Sequence, residues 1–555
     1  MSGSRLRLAA FTAFTAVFAV GAAIVFWGTW SLDVVPIMPD ARTDWPASGY
    51  VGEWFRGWLA NGKFVPGDVI NFLGSPYFWQ ELKYVLAVYC SALGLAYFCR
   101  GRGLSRVASY GAGLLLGFSG YWITLFSAGH LGWFQWMTYG VFAFALVDRA
   151  LEKGRARHWL MLGATVAWGS VYQSDLWLLF TTFTGVYFIF RWCCSCRRTP
   201  FVRSAVPLKG MLLAFAALAL IGLPSFVSAL TGDLAGRDKQ IAESVGTTLG
   251  GDSSDAKEAR WVFATNWSLP PSEVVEFFCP RVNGDTSCPL TLAINAAKGT
   301  KPYTGALGRP LNADRGNYRQ HSLYVGWVAC LLALFGCVSG LRSPVRRRTV
   351  LFFSVAAVVF CVFSFGRYCE PVYRCVFALP FGDDLRAPVK WHHLTEFCLC
   401  VLAGFGLEAL LARLVRLGQA GRLGAWGRRS LAAPLLVALV VVLGVFDLVR
   451  VDRLYCAPVN VAQARKLDAT RQMTYLRKQD FQNPQIAALH KEGRIVSHAY
   501  HPMSRDVYLV DVLTPRVKSI PVMPPFGRAA AMGLFSVLAT LAVAGFTVFS
   551  VAKRR

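Results

Sequence analysis

The 555-residue chain is 55% apolar and 14% aromatic with only 16% charged residues, which excludes an ordinary string of soluble domains. Lys and Arg outnumber Asp and Glu 57 to 31, and the net charge of +26 would suit a nucleic-acid partner if it covered one surface. It does not: most of the excess sits in short segments between apolar runs, so a nucleic-acid partner is excluded.

Runs of about twenty apolar residues, the length a helix needs to cross a bilayer, recur along the whole chain. Twelve are read as transmembrane helices: about 8–30, 84–99, 107–127, 132–147, 158–172, 175–190, 211–230, 323–341, 350–365, 394–411, 431–449 and 529–550. The first follows Ser4-Arg5-Leu6-Arg7 and is similar to a signal peptide. It runs on into Trp27, Trp30 and Asp33 without a small-residue cleavage site, which makes it an uncleaved anchor. Twelve spans place the connecting segments alternately on two sides. The seven short segments 2–7, 100–106, 148–158, 191–209, 342–348, 412–430 and 553–555 hold 26 Lys and Arg against two acids, Asp148 and Glu152. Short basic loops stay in the cytoplasm, so both termini are expected inside and the protein in a plasma or inner membrane. The four long segments 31–81, 231–321, 366–393 and 451–527 then fall together on the extracytoplasmic side.

The expected fold is an all-α polytopic membrane protein of about 12 transmembrane helices with extracytoplasmic loops and a small β-containing C-terminal outer segment. Its parts are a transmembrane module with the first outer loop (1–230), a large outer loop (231–321), a second transmembrane module with the outer turn 366–393 (322–450), an outer segment (451–527), and a last helix with a basic tail (528–555).

In chain order, the first outer loop opens with Pro39-Asp40-Ala-Arg42-Thr-Asp44-Trp45-Pro46. Two carboxylates four residues apart, beside the membrane and among Trp30, Trp45 and Trp54, can hold a general base next to a lipid-borne substrate. They can also bind a divalent cation such as Mg or Mn. The competing reading is two solvated acids, one paired with Arg42. Tyr50, Trp54, Phe55, Trp58 and Leu59 have the spacing of an amphipathic helix lying on the membrane surface. Gly113 and Gly117 in the third span have the small-residue spacing of a helix contact. His130, on the short outer turn after that span, either faces the same outer site or is an ordinary interfacial histidine.

Asn266-Trp267-Ser268 is a glycosylation sequon on the outer side. Most of the 15 cysteines belong to apolar spans as small hydrophobes, while Cys193, Cys194 and Cys196 form a tract on the basic side. Cys279, Cys288, Cys369, Cys375 and Cys456 lie outside, where Cys279–Cys288 and Cys369–Cys375 are the local pairings open to them. The outer turn contains Arg367, Arg374, Asp383, Asp384, Arg386, Lys390, His392 and His393 between prolines. Arg offers a fork and Lys a point charge to a lipid phosphate. Pairing of Arg386 with Asp383 or Asp384, with Lys390 merely snorkelling, is the competing reading. Short β-branched runs in 490–522 predict a small β-rich module.

Coupled transporters need ionisable groups near the membrane midplane. Here Glu396, Asp175 and Asp447 lie near outer span ends and Glu408 near an inner one, so the spans read as a scaffold for an outer-face site.

An acid just after the first span, the outer turn between spans three and four, and the late Leu379-Pro380-Phe381 and Arg386-Ala387-Pro388-Val389-Lys390 stretch, followed by Leu402-Ala-Gly404-Phe-Gly406-Leu407-Glu408, together resemble the bacterial YfhO-like membrane proteins. Asn266-Trp-Ser268-Leu-Pro270-Pro271-Ser-Glu273, Phe278-Cys-Pro280, Gly284-Asp285, Tyr303-Thr-Gly305 and Tyr324-Val-Gly326 extend the similarity over most of residues 8–412. The resemblance implies a GT-C class polytopic glycosyltransferase. Such an enzyme passes a sugar from a polyprenyl-phosphate donor to a cell-envelope acceptor, a glycan, polymer or lipid, on the extracytoplasmic face. Asp40 matches the family's first-loop base, with Asp44 beside it. Arg386 and Lys390 match the stretch expected to meet the donor phosphate, with Arg367, His392 and His130 completing the set. A transporter or flippase for lipid-linked glycans and a non-catalytic envelope assembly protein are the alternative classes.

Overall fold

A computed structural model describes residues 3–26, 34–36, 76–128, 131–171, 174–196, 205–228, 254–286, 299–307, 319, 321–379, 385–421, 431–456, 458–460, 471–477, 495–500, 507–513 and 528–552, with a few isolated positions besides. In chain order its helices are α1 (Gly3–Phe26), α2 (Pro76–Gly101), α3 (Arg106–Gly117), α4 (Gly120–Ala128), α5 (Leu131–Lys153), α6 (Ala156–Gly169), α7 (Ser174–Cys196), α8 (Ala205–Ser228), α9 (Ser254–Ala264), α10 (Trp327–Leu341), α11 (Arg347–Ser364), α12 (Glu370–Phe377), α13 (His392–Gln419), α14 (Ala432–Tyr455) and α15 (Arg528–Ala552). Short 3-10 turns occupy Pro271–Phe277, Gly366–Cys369 and Pro388–Trp391.

The architecture is that of an all-α polytopic membrane protein. Among the described residues eight helices are long and apolar enough to cross a bilayer: Arg7–Phe26, Leu82–Gly101, Asp175–Cys194, Leu208–Val227, Arg347–Ser364, Pro388–Gln419, Ala432–Tyr455 and Ala531–Ala552. Large apolar side chains on these helices, such as Leu212, Phe215, Val358, Leu439 and Phe549, stand exposed. In water such a surface would drive aggregation, whereas hydrocarbon is its natural solvent.

Three of the other four apolar runs are built from shorter or interrupted pieces. The run at 107–127 is not one helix: α3 ends at Gly117 after 12 residues and α4 restarts at Gly120 for nine. Twelve residues rise about 18 Å, well short of a hydrocarbon core of roughly 30 Å. Helices α6 and α10 have 14 and 15 residues, while α5 has 23 and ends in charge at Asp148, Arg149, Glu152 and Lys153.

Where lipid supplies no hydrophobic drive between helices, close backbone contact holds them together, and glycine permits it. A methyl group on Gly406 of α13 would meet the Leu332 carbonyl of α10 at 2.0 Å, and one on Gly336 of α10 would meet the Leu402 carbonyl at 2.1 Å. Gly113 and Gly117 both abut Ala92 of α2, the contact that their spacing predicts. The last helix α15 docks on α6 and α8, with Trp168 donating to Thr540 at 3.3 Å and Ser536 to the Ile221 carbonyl at 2.7 Å.

Ion pairs tie the basic segments together at one end of the bundle. Asp148, 1% exposed, accepts Arg102 at 2.8 Å, Arg191 at 2.7 Å and the Tyr187 hydroxyl at 2.9 Å, while Glu152 accepts Arg102 at 2.6 Å. Glu408 takes the Ser105 backbone N–H, at 2.7 Å, and Arg346, at 3.3 Å. The two acids of the basic segments are thus spent on bridging them. At the opposite end, β1 (Val34–Pro36) pairs antiparallel with β2 (Pro458–Asn460), which joins the segment after α1 to the segment after α14. Three more strands, β3 (Arg471–Arg477), β4 (Ile495–Tyr500) and β5 (Val507–Leu513), form an antiparallel sheet in the order β3-β5-β4.

Two sequence expectations are corrected here. Cys369 and Cys375 are both free thiols, Cys369 half-buried at the cap of α12 and Cys375 exposed within it. Cys288, the other half of the Cys279 pairing, lies outside the described residues. Helix α14 continues to Tyr455, so Asp452, assigned by sequence to an outer segment, is buried within the packed helices.

Candidate outer-face site

The break between α3 and α4 begins the site. Phe118 closes α3 by donating to the Leu114 carbonyl, and Ser119 restarts the chain by accepting the Trp122 N–H at 3.1 Å. Gly120 then donates to the Tyr324 carbonyl at 2.7 Å, an approach only a glycine allows, since its Cβ would lie 2.7 Å from that oxygen. Thr124 locks the junction, donating to the Gly120 carbonyl and accepting the Ser322 N–H. The freed Ser119 hydroxyl donates to Glu396 at 2.5 Å.

Glu396 is fully buried near the start of α13. The rings of His392 and His393 approach its oxygens at 4.0 and 3.9 Å, and Tyr121 stacks on His393 with centroids 4.2 Å apart. Tyr121 also meets His321 at 4.8 Å, and His321 meets Trp267 at 5.7 Å, so an aromatic and imidazole column runs from the outer loop down to the carboxyl. Asp452 is equally buried across the Gly120 junction, 3.4 Å from where a Gly120 Cβ would stand. Glu396 lies near the start of α13, where the sequence places it, and Asp452 in the last turn of α14, so neither stands at the middle of a span.

Three segments knot together above this column. Ala387 and Val389 donate to the Ala264 and Trp267 carbonyls at 3.1 and 3.0 Å, Leu269 donates to Ser364 at 2.8 Å, and Arg367 N–H donates to Ser268 at 3.0 Å. Trp267 and Ala387 both adopt left-handed backbone, with φ of 61° and 63°. Non-glycine residues held there cost about 1–3 kcal/mol each and concentrate at functional sites. Ser268, third residue of the sequon, is buried and its hydroxyl donates to the Thr265 carbonyl.

The knot displays the expected cations unequally. Arg386 is exposed, its guanidinium 5.3 Å above the Phe263 ring, and Arg367 is half-buried. Lys390 is buried and ion-paired with Asp175 in the first turn of α7. A helix 215 residues away in sequence thus supplies its counter-charge. His392 is fully buried, its Nε2 is 3.2 Å from the Leu323 carbonyl, and its ring stacks 4.1 Å from Phe277 at the start of α13. Asp40, Asp44 and His130 lie outside the described residues.

A second buried charge cluster braces the outer loop. Arg319, 1% exposed, pairs with Glu276 and lies 3.6 Å from Glu273 and 4.6 Å above the Tyr303 ring. Burial works against its charge, yet the Glu276 carboxylate holds the guanidinium above its ordinary value. Burial likewise raises the Tyr303 phenol, which donates to Glu273. Arg319 and Glu276 are not among the residues that the sequence singles out; an acid and an arginine close to apolar and aromatic stretches are the available signal. Among the described residues no three His, Cys, Asp or Glu side chains stand close enough to hold a metal ion.

Neither a protein-family model nor a curated protein sequence matches this chain.

Proposed function

We propose that the chain is an integral-membrane glycosyltransferase of the GT-C class, with twelve spans and both termini in the cytoplasm. It moves a sugar from a polyprenyl-phosphate donor to a cell-envelope acceptor on the extracytoplasmic face. The observation that carries this reading is the strained knot that presents Arg386 and Arg367 beside each other's segments, directly above a buried polar column at the outer end of an apolar bundle. The acceptor hydroxyl oxygen attacks the anomeric carbon, Asp40 takes its proton, and the bond from carbon to the phosphate oxygen breaks with inversion. The phosphate leaves carrying both bonding electrons, and Arg386 and Arg367 balance its charge.

Sugar transfer by the full chain in liposomes tests the reading. Asp40→Asn is expected to slow transfer by about 10²–10⁴-fold, and Arg386→Ala to raise the donor KM about tenfold, or 1.4 kcal/mol. Wild-type transfer by both Asp40→Asn and Asp44→Asn would remove the base; lipid translocation without transfer would favour a flippase. Sidedness has its own check. Cys279 and Cys375 are exposed thiols on the outer loops, and Cys193 is exposed at the basic end. An impermeant maleimide applied to whole cells is expected to label the first two, and Cys193 only after permeabilisation.

A further inference from the structure

The Lys390–Asp175 pair ties the 3-10 turn before α13 to the first turn of α7. Asp175 divides its carboxylate: Oδ1 accepts the Leu176 N–H at 2.9 Å in the first turn of α7, and Oδ2 meets Lys390. Side-chain exposure is 8% for Lys390 and 14% for Asp175, so the pair sits just under the surface and not in the deep core. Arg386, near enough to act on Lys390 electrostatically, is exposed, and the strained Ala387 lies in the turn between the two. One short turn thus carries an exposed cation and a buried one held by a carboxylate.

We propose that Asp175 and Lys390 form an anion-operated latch, in which Asp175 holds the ammonium until a lipid phosphate entering past Arg386 competes for it. Asp175 is a positioning residue in this scheme, and Lys390 becomes the inner phosphate contact only when the latch yields. No covalent bond changes; the ammonium exchanges one anionic partner for another. The inference rests on the lipid-phosphate donor proposed above.

Binding separates the latch from a merely structural pair. With the full chain in nanodiscs and polyprenyl phosphate as probe, Asp175→Asn removes the competitor and is expected to tighten Kd about three- to tenfold. Lys390→Met is expected to weaken it tenfold or more, and polyprenol, which lacks the phosphate, is expected to bind all forms alike. If Lys390→Met does not fold, Lys390→Gln carries the same expectation. Unchanged or weaker binding by Asp175→Asn overturns the latch, as does wild-type binding by the Lys390 variant. Inorganic phosphate that displaces the lipid at its own Kd would overturn the lipid assignment. Transfer is scored separately: a chain that transfers no sugar can still show the latch, and a failed latch leaves wild-type transfer untouched.

Discussion

Arg319→Met is expected to destabilise the outer assembly by about 3–5 kcal/mol, the usual loss when one partner of a buried ion pair is removed. The guanidinium is 1% exposed and faces Glu276, also 1% exposed, and Glu273. Without it two carboxylates stay in a space that water does not reach. Backbone donors soften the loss only partly: Asn283 N–H reaches Glu276 at 2.9 Å, and Ala306 N–H reaches Glu273 at 2.7 Å. Thermal unfolding of the purified protein, followed by intrinsic fluorescence, measures the effect. Adding Glu276→Gln should recover part of it, because the amide keeps an acceptor for Asn283 while removing an unpaired charge. A single Arg319→Met variant that unfolds within a degree of wild type would show the cluster to be dispensable.

Gly406→Val is the second large effect, and it acts through distance. The Gly406 Cβ position lies 2.0 Å from the Leu332 carbonyl and 3.2 Å from the Gly336 nitrogen, so any side chain pushes α13 off α10. Both partners are backbone and cannot swing aside. Overpacking of a tight interior costs about 1–3 kcal/mol or more, and here the helix displaced also carries Glu396 and follows directly on the turn that holds Lys390. Loss of monodisperse protein on size exclusion, together with loss of any outer-face activity, is expected. Gly545→Ala supplies the contrast. Nothing lies within 4 Å of its Cβ position in α15, so the change should be neutral or slightly stabilising through helix propensity. Equal behaviour of the two variants would mean that α10 and α13 do not pack through Gly406.

These cases show which parts of the molecule are visible in one dimension. Apolar runs and basic segments are local sums, so the eight long helices and the clustering of the basic ends can be read directly from residue order. The Gly113 and Gly117 contact is also local, one helix turn wide. The break at Ser119 is not, because residues 107–127 stay apolar throughout and the interruption depends on the Tyr324 carbonyl and the Glu396 carboxyl arriving from elsewhere. Lys390 likewise reads as a free cation until α7 brings Asp175 to it. Hydropathy reports what a segment prefers on average; the partner that permits one charged residue to be buried is set by tertiary structure.

Pairing of Val34–Pro36 with Pro458–Asn460 carries a consequence for biogenesis. The ribosome delivers the first of these strands early and the second only after nearly all the bundle has been made, with roughly four hundred residues between them. Throughout that interval β1 has no β-partner. The pairing therefore closes only once α14 has been made, with α15 still to follow.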